Sequence, residues 1–298
     1  MHNNYYFIKQ VTLSLKSILV GSVVSECFSQ NKDELVIRFE TQTQSHYIKA
    51  SLTGSFSCVT FPDTFHRARK NSVDLFESVG GLKVLDLITF ENERAFAIQF
   101  EEGYTLLFKL HGNRSNIILF HNQQVAACFK NNIPADVAIT LHSLARNIDF
   151  SFDHFKVHAH EPEKTYFTFG KLAWLYLHEA DFQSKPVDAQ WHTLQQLMQT
   201  LEHPPAYYLT RIKGVLHLSL IPVGEVQSTI DDPLVAVNTF YYQYIQQDAF
   251  EHEKVAAISK LKQAIQANEN YCAKARQKIT ELTTNTSYRT WADLIMAN

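Results

Sequence analysis

The pattern that most constrains this chain lies near its C-terminal end. Ile258, Leu261, Ile265, Asn268, Cys272, Ala275, Ile279 and Leu282 follow one another in alternating steps of three and four. A helix of 3.6 residues per turn gathers such a series into one narrow stripe, the seam of a coiled coil. Asn268 is a polar seam residue of the kind that fixes register. The spacing predicts a long helix from about Gln246 to Leu282, and a seam of this kind needs a partner helix. Only 16 residues follow Leu282, too few to supply that helix, so the partner is expected from another chain or from a continuation of this one.

Ahead of the seam the texture differs. Tyr6, Ile8, Val11, Leu15 and Leu19 space a helix over 5–19, with Gly21 as its stop. Short runs rich in β-branched and aromatic residues then predict strands over 23–28, 34–39, 46–52 and 57–61. The polar stretch Phe65 to Ser72 reads as a short helix, ended by Gly80-Gly81. Strands return over 82–90, 95–100, 104–110, 115–120 and 125–130, with Glu101-Glu102-Gly103 and His121-Asn122-Gln123 as hairpin turns. After Asp153 helices are predicted over 167–177, 189–201 and 233–245, with a hairpin around Lys213-Gly214. The expected class is α+β. A sheet-rich domain covers 1–155, a small mostly helical domain with a β-hairpin covers 156–245, and the coiled-coil helix covers 246–298.

Composition excludes several classes. Apolar residues at 45% and charged residues at 19% fit a folded chain rather than a disordered one. No run approaches the ~20 apolar residues that cross a bilayer, so no membrane partner is expected. The start, Met1-His2-Asn3-Asn4, shows no basic region leading into an apolar one. Cys27, Cys58, Cys128 and Cys272 are scattered without a Cys-x-x-Cys, which suits a reducing cytoplasm better than a disulfide framework or a zinc site.

Candidate chemistry is sparse. His154, His158 and His160 alternate closely enough to suggest a metal site on a strand, with Asp153 and Glu161 as oxygen donors, but an exposed linker explains them as well. The chain has no G-x-S-x-G elbow, P-loop or G-x-G-x-x-G. Glu101 and Glu102 flank a turn glycine, as a solvated hairpin tip does. No catalytic residue, metal or cofactor is assigned, and the chain is not expected to be an enzyme. The cations say more. Arg67, Arg69 and Lys70 cluster, while Arg94 and Arg114 sit where strands begin. Residues 1–150 hold 14 basic and 14 acidic groups, so a phosphate-binding face has to arise by segregation of charge.

His111-Gly112-Asn113-Arg114-Ser115-Asn116-Ile117-Ile118-Leu119 resembles a motif of the NFACT family, Met-Gly-Lys-His-Ser-Asn-Ile-Ile-Leu. Members of that family are ribosome quality-control factors of the RqcH and NEMF type, and an older label is fibronectin-binding protein A. Met1 to Phe7 and Phe28 to Leu35 resemble the version found in Bacteroidetes-type bacteria. Phe65 to Lys70 falls where relatives carry Leu-Arg-Lys, and Asn92-Glu93-Arg94 where they carry Asn-Asp-Arg. Ala292-Asp293-Leu294-Ile295-Met296-Ala297-Asn298 is similar to a Gly-Asp-Leu-Leu-x-Ala-Asn stretch of the family's coiled-coil region. The resemblance is strong over 1–135 and 290–298 and weak over 160–245.

The resemblance implies an N-terminal β-sandwich with flanking helices, like the N-terminal domain of formamidopyrimidine-DNA glycosylases. Those enzymes attack with an N-terminal proline. Met1-His2-Asn3 stands here instead, so glycosylase and lyase chemistry is expected to be absent. A helix-hairpin-helix domain should follow, yet Gly170 is the only glycine from 113 to 213, so the middle domain is divergent. The resemblance also implies that the chain stops inside the arm, before the second arm helix and the NFACT-R domain. By function it implies a cytoplasmic protein that binds tRNA, alanyl-tRNA above all. Its other partners would be the large ribosomal subunit with its rRNA and stalled peptidyl-tRNA, in support of alanine tailing of nascent chains. Glu93 and Arg94 match the Asp-Arg pair tied to tRNA. Arg69, Lys70, Arg114 and Asn116 are further RNA-contact candidates, with Asn113 and Arg114 replacing Lys-His of the motif. The competing expectation, from the older label, is a cell-surface adhesin for fibronectin.

Overall fold

The alternation of branched and aromatic residues in the first half builds two antiparallel sheets around one helix. The computed structural model describes residues 1–54, 56–284 and 286–297, apart from the side chain of His252. Asn298, which closes the terminal motif, lies outside the described residues. Helix α1 (Tyr5–Leu19) starts at Asn4, whose side chain accepts from the Tyr6 N–H at 2.9 Å. Strands β1 (Val23–Ser29), β2 (Glu34–Glu40), β3 (Ser45–Leu52), β4 (Ser57–Thr60) and β5 (Val73–Asp74) form the first sheet, in the order β4-β3-β2-β1-β5. Strands β6 (Val84–Thr89), β7 (Ala95–Phe100), β8 (Tyr104–Lys109), β9 (Asn116–His121) and β10 (Gln124–Cys128) form the second, a simple meander in order β10-β9-β8-β7-β6.

Both faces of the central strands β7, β8 and β9 of the second sheet are buried, which is why those strands read as near-continuous apolar runs. One face carries Ala97, Leu107, Ile118 and Phe120, covered by Leu144, Ile139 and Leu141 from the segment after β10. The first turn of α1 is buried on all sides through Tyr5, Tyr6, Phe7 and Ile8, because β6 and β7 flank it on one side and the second half of the chain on the other. The two sheets are tied by Ser115 Oγ donating to Ser57 Oγ at 3.0 Å and by Lys130 Nζ donating to the Leu52 carbonyl.

The second half supplies α2 (Phe152–His158), α3 (Pro162–Thr165), α4 (Gly170–Glu179) and α5 (Val187–Glu202). Phe155, Tyr166, Phe169, Trp174 and Phe182 form their aromatic core. A three-stranded sheet follows, β12 (Val215–Ser219), β11 (Tyr207–Ile212) and β13 (Glu225–Ile230) side by side. Helix α6 (Pro233–Thr284) and α7 (Ser287–Met296) complete the chain. Met1–Tyr242 forms one compact unit and Gln243–Asn298 a second. Within the second unit the apolar seam residues Ile258, Leu261, Ile265, Ile279 and Leu282 are exposed along α6. Among the described residues no helix is long and apolar enough to cross a membrane.

Four local expectations are corrected. Residues 65–72 are not helical. Asn71 takes a left-handed φ of 62°, and Arg67 lies over the Phe28 ring at 4.6 Å while pairing with Asp74 at 2.8 Å. The stretch has helix formers but no apolar stripe, so contacts with the first sheet decide its shape. His154 and His158 stand on a helix, not a strand, because Ser151 caps it by accepting from the His154 N–H at 3.3 Å. Strand β13 was not expected. It follows Gly224, where φ is +70° and a Cβ would strike the Arg211 carbonyl at 2.8 Å. The helices expected over 233–245 and from 246 are one, since neither glycine nor proline follows Pro233 within it.

Candidate functional site

The hairpin geometry of the second sheet gathers the motif residues. In a meander, the β6–β7 and β8–β9 turns lie at the same end. The first turn carries Glu91 to Arg94 and the second His111 to Ser115, and the Leu110 N–H donates to the Arg94 carbonyl at 2.9 Å.

Glu93 is the hub. Only 4% of it is exposed, and one oxygen accepts from the Arg94 N–H at 2.7 Å. The same oxygen lies 2.8 Å from His111 Nε2, an ion-pair distance reached off the line of a straight hydrogen bond. The other accepts from Arg146 Nε at 2.7 Å. Burial raises the carboxyl pKa, but contact with His111, the Arg94 N–H and the nearby His111 and Arg146 charges outweigh it. The net result is a pKa of about 2. Asn92, with φ 55°, donates to the Arg146 carbonyl at 2.9 Å, and the Arg146 N–H donates to the Glu91 carbonyl at 2.9 Å. The turn is therefore locked to the segment carrying Arg146.

A second buried set lies one row into the sheet. Ala95, Lys109 and Asn116 stand in register on neighbouring strands. Asp136 sits over them and accepts from Lys109 Nζ and, at 2.8 Å, from Asn116 Nδ2. Asn116 also donates to the Lys130 carbonyl at 2.9 Å and accepts from the N–H groups of Lys130 and Ile117. All four of its hydrogen-bonding positions are used. The motif is legible residue by residue: His111 meets Glu93, Gly112 turns the chain at φ 65°, Arg114 faces out, Ser115 reaches the other sheet and Asn116 locks the strand.

These networks leave two kinds of predicted residue. Glu93 and Asn116 are buried and hold the scaffold, so neither offers a free group to a ligand. Arg94 and Arg114 are exposed, and among the described residues neither guanidinium makes an ion pair or hydrogen bond. Arg69 and Lys70 are exposed as well, but they belong to the loop at the β5 edge of the first sheet, which is tied to Gln30 and Asp74. Arg146, exposed over about half its side chain, was missed. It lies 53 residues past Glu93 in a stretch without regular structure, where sequence gives no sign of proximity. Among the described residues no group of three or more His, Cys, Asp or Glu is placed to hold a metal. A cavity of about 500 Å³ lies elsewhere, between α1, β3 and the start of α6, lined by Leu15, His46, Phe61 and Asn238, and it includes none of the predicted site residues.

The architecture is α+β, two antiparallel sheets followed by a helical part, and it recurs in known structures. The fibrinogen-binding protein from Staphylococcus aureus matches with TM-score 0.63 at 16% identity, over 81% of this chain and 99% of its own. The N-terminal part of the fibronectin/fibrinogen-binding protein from Streptococcus suis matches with TM-score 0.54 at 17% identity, over 80% and 98%. No curated protein matches the sequence. Residues 176–298 match the family profile described as NFACT N-terminal and middle domains. Over that segment, which is less than half of the chain, the sequence is similar to the NFACT family. The matched segment includes the part where the quoted motifs are sparsest.

Proposed function

We propose that this chain is an RNA-binding protein of ribosome-associated quality control, and that it works by binding rather than catalysis. Its partners on this reading are tRNA, with alanyl-tRNA the preferred form, and the large ribosomal subunit with its rRNA and stalled peptidyl-tRNA. Its role is to support alanine tailing in the cytoplasm. The observation that carries the reading is the pair of arginines, Arg94 and Arg114, unpartnered among the described residues and presented at one end of the second sheet beside buried hydrogen-bond networks. Guanidinium groups held this way match phosphate in a bidentate fork. The similarity of residues 176–298 to the NFACT profile supports the ribosomal setting. Arg94→Ala should abolish co-purification of tRNA with large subunits without changing the folded state, measured by thermal melting. Unchanged tRNA recovery overturns the reading.

A second reading is adhesion to fibronectin or fibrinogen, supported by what the two structural relatives are called. Immobilised fibronectin and fibrinogen test it directly. Saturable binding that survives Arg94→Ala would favour this reading over the first.

A further inference from the structure

Phe167 is the unusual residue beside this site. It opens a 3-10 turn, Phe167–Phe169, in a neighbourhood of buried aromatics. Tyr166 and Phe169 are fully buried, yet Phe167 is 46% exposed. The turn is not loosely held. Asn4 Nδ2 donates to the Thr168 carbonyl at 2.7 Å and to the Phe169 carbonyl at 3.1 Å. The ring is therefore fixed outward by its neighbours. Over it lies Arg146, whose guanidinium carbon is 5.7 Å from the ring centre. Only Nε of Arg146 is used, on Glu93, so its terminal nitrogens make no hydrogen bond among the described residues. Glu93 holds Arg94 by its backbone at the same time.

An exposed ring and a guanidinium plane, both held by buried partners, form a platform for a flat aromatic ligand. Such pairs stack unpaired nucleobases, whose faces are free, and cannot stack a base already inside a duplex. We infer that Phe167 and Arg146 form a stacking subsite for an unpaired nucleotide, next to the phosphate contact at Arg94. The inference rests on the RNA-binding reading and narrows it: the ligand at this end of the sheet is a single-stranded stretch or a splayed loop base, not a regular helix. Ring and backbone contacts divide the work, with stacking indifferent to salt and the arginines supplying the salt dependence.

The test compares a fluorescein-labelled single-stranded oligoadenylate with a blunt RNA duplex of equal length, titrated by anisotropy at several salt concentrations. Phe167→Ala should weaken single-strand binding about tenfold, with an unchanged salt slope and a duplex affinity within about twofold of wild type. Phe167→Trp should restore the single-strand affinity. Arg94→Ala should instead lower the salt slope by about 0.7, the value for one phosphate contact on a single strand. Thermal melting of each variant controls for folding, and Phe167 is exposed enough for truncation to be mild. If wild type binds neither RNA, both readings fall. If Arg94→Ala weakens binding but Phe167→Ala does not, or costs single strand and duplex alike, the stacking subsite alone falls.

Discussion

Glu93 is buried, yet it holds the turn that presents the exposed Arg94. Its carboxyl is ionised down to about pH 2, against about 4.5 unfolded, so its native contacts favour the charged form. A depressed carboxyl stabilises the fold fully above the unfolded pKa and loses that contribution as pH falls toward the folded one. Wild-type stability should therefore decline between about pH 5 and pH 2. Asp86, lowered by the hydrogen bond from Lys16, adds to the same limb. Glu93→Gln removes only the Glu93 part, so urea denaturation should show a shallower acid limb for the variant and a lower plateau at pH 7. Superimposable limbs would refute the assignment. Asn116 makes a different demand. Asn116→Ala leaves the buried Asp136 oxygen and the Lys130 amide and carbonyl unpartnered, for a loss of about 2–4 kcal/mol by denaturant titration. Sequence pointed to both residues through the motif but assigned them to the ligand. Their burial depends on Arg146 and Asp136, which lie 53 and 20 residues away in the chain, and no local pattern encodes such partners.

At the scale of elements, what sequence revealed follows from periodicity. Nine of the ten strands of the first half, all but the short exposed β5, and α5 appeared near their observed limits because buried faces impose period 2 or 3.6 on residue choice. The stretch 65–72 has no such face, and there propensity misled. The segment covering the second sheet was also unreadable. Residues 134–143 hold only two short 3-10 turns, yet Leu144, Ile139 and Leu141 cap the core and Asp136 reaches through to Lys109. This strap does the job of a helix without helical periodicity. The Lys109–Asp136 pair is its anchor, with side chains 6% and 2% exposed. Asp136→Ala would leave a buried ammonium alone, at a cost of about 3–5 kcal/mol. It should also loosen the strap that carries Arg146. Hydrogen exchange of the Arg146 amide, bonded to the Glu91 carbonyl, should then accelerate more than exchange in α5. Equal acceleration throughout would mean global destabilisation and no special tie between strap and turn.

For the whole molecule the question is how a chain of net charge −3 would hold a polyanion. The long-range interaction between the two negative net charges is repulsive, and at physiological salt it is screened beyond about 8 Å. Binding must come from a local cation set, and the folding of the second sheet provides one by spending its acidic partner, Glu93, inside. Among the described residues Arg94 and Arg114 have no counter-ion, so on the proposed reading phosphate would fill that place. The alternative is a diffuse contribution from all 27 basic residues. The two pictures separate cleanly. In the local picture Arg94→Ala with Arg114→Ala lowers the slope of log affinity against log salt by about 1.4 on single-stranded RNA. Lys213→Asn, on the β11–β12 hairpin, removes one charge elsewhere at a φ of 51° that asparagine tolerates, and it should leave both slope and affinity unchanged. In the diffuse picture each lost charge counts alike, and Lys213→Asn produces half the effect of the double variant. Salt titrations of the three proteins on one RNA decide between them, and equal per-charge effects would remove the sheet end from its place as the RNA-binding site.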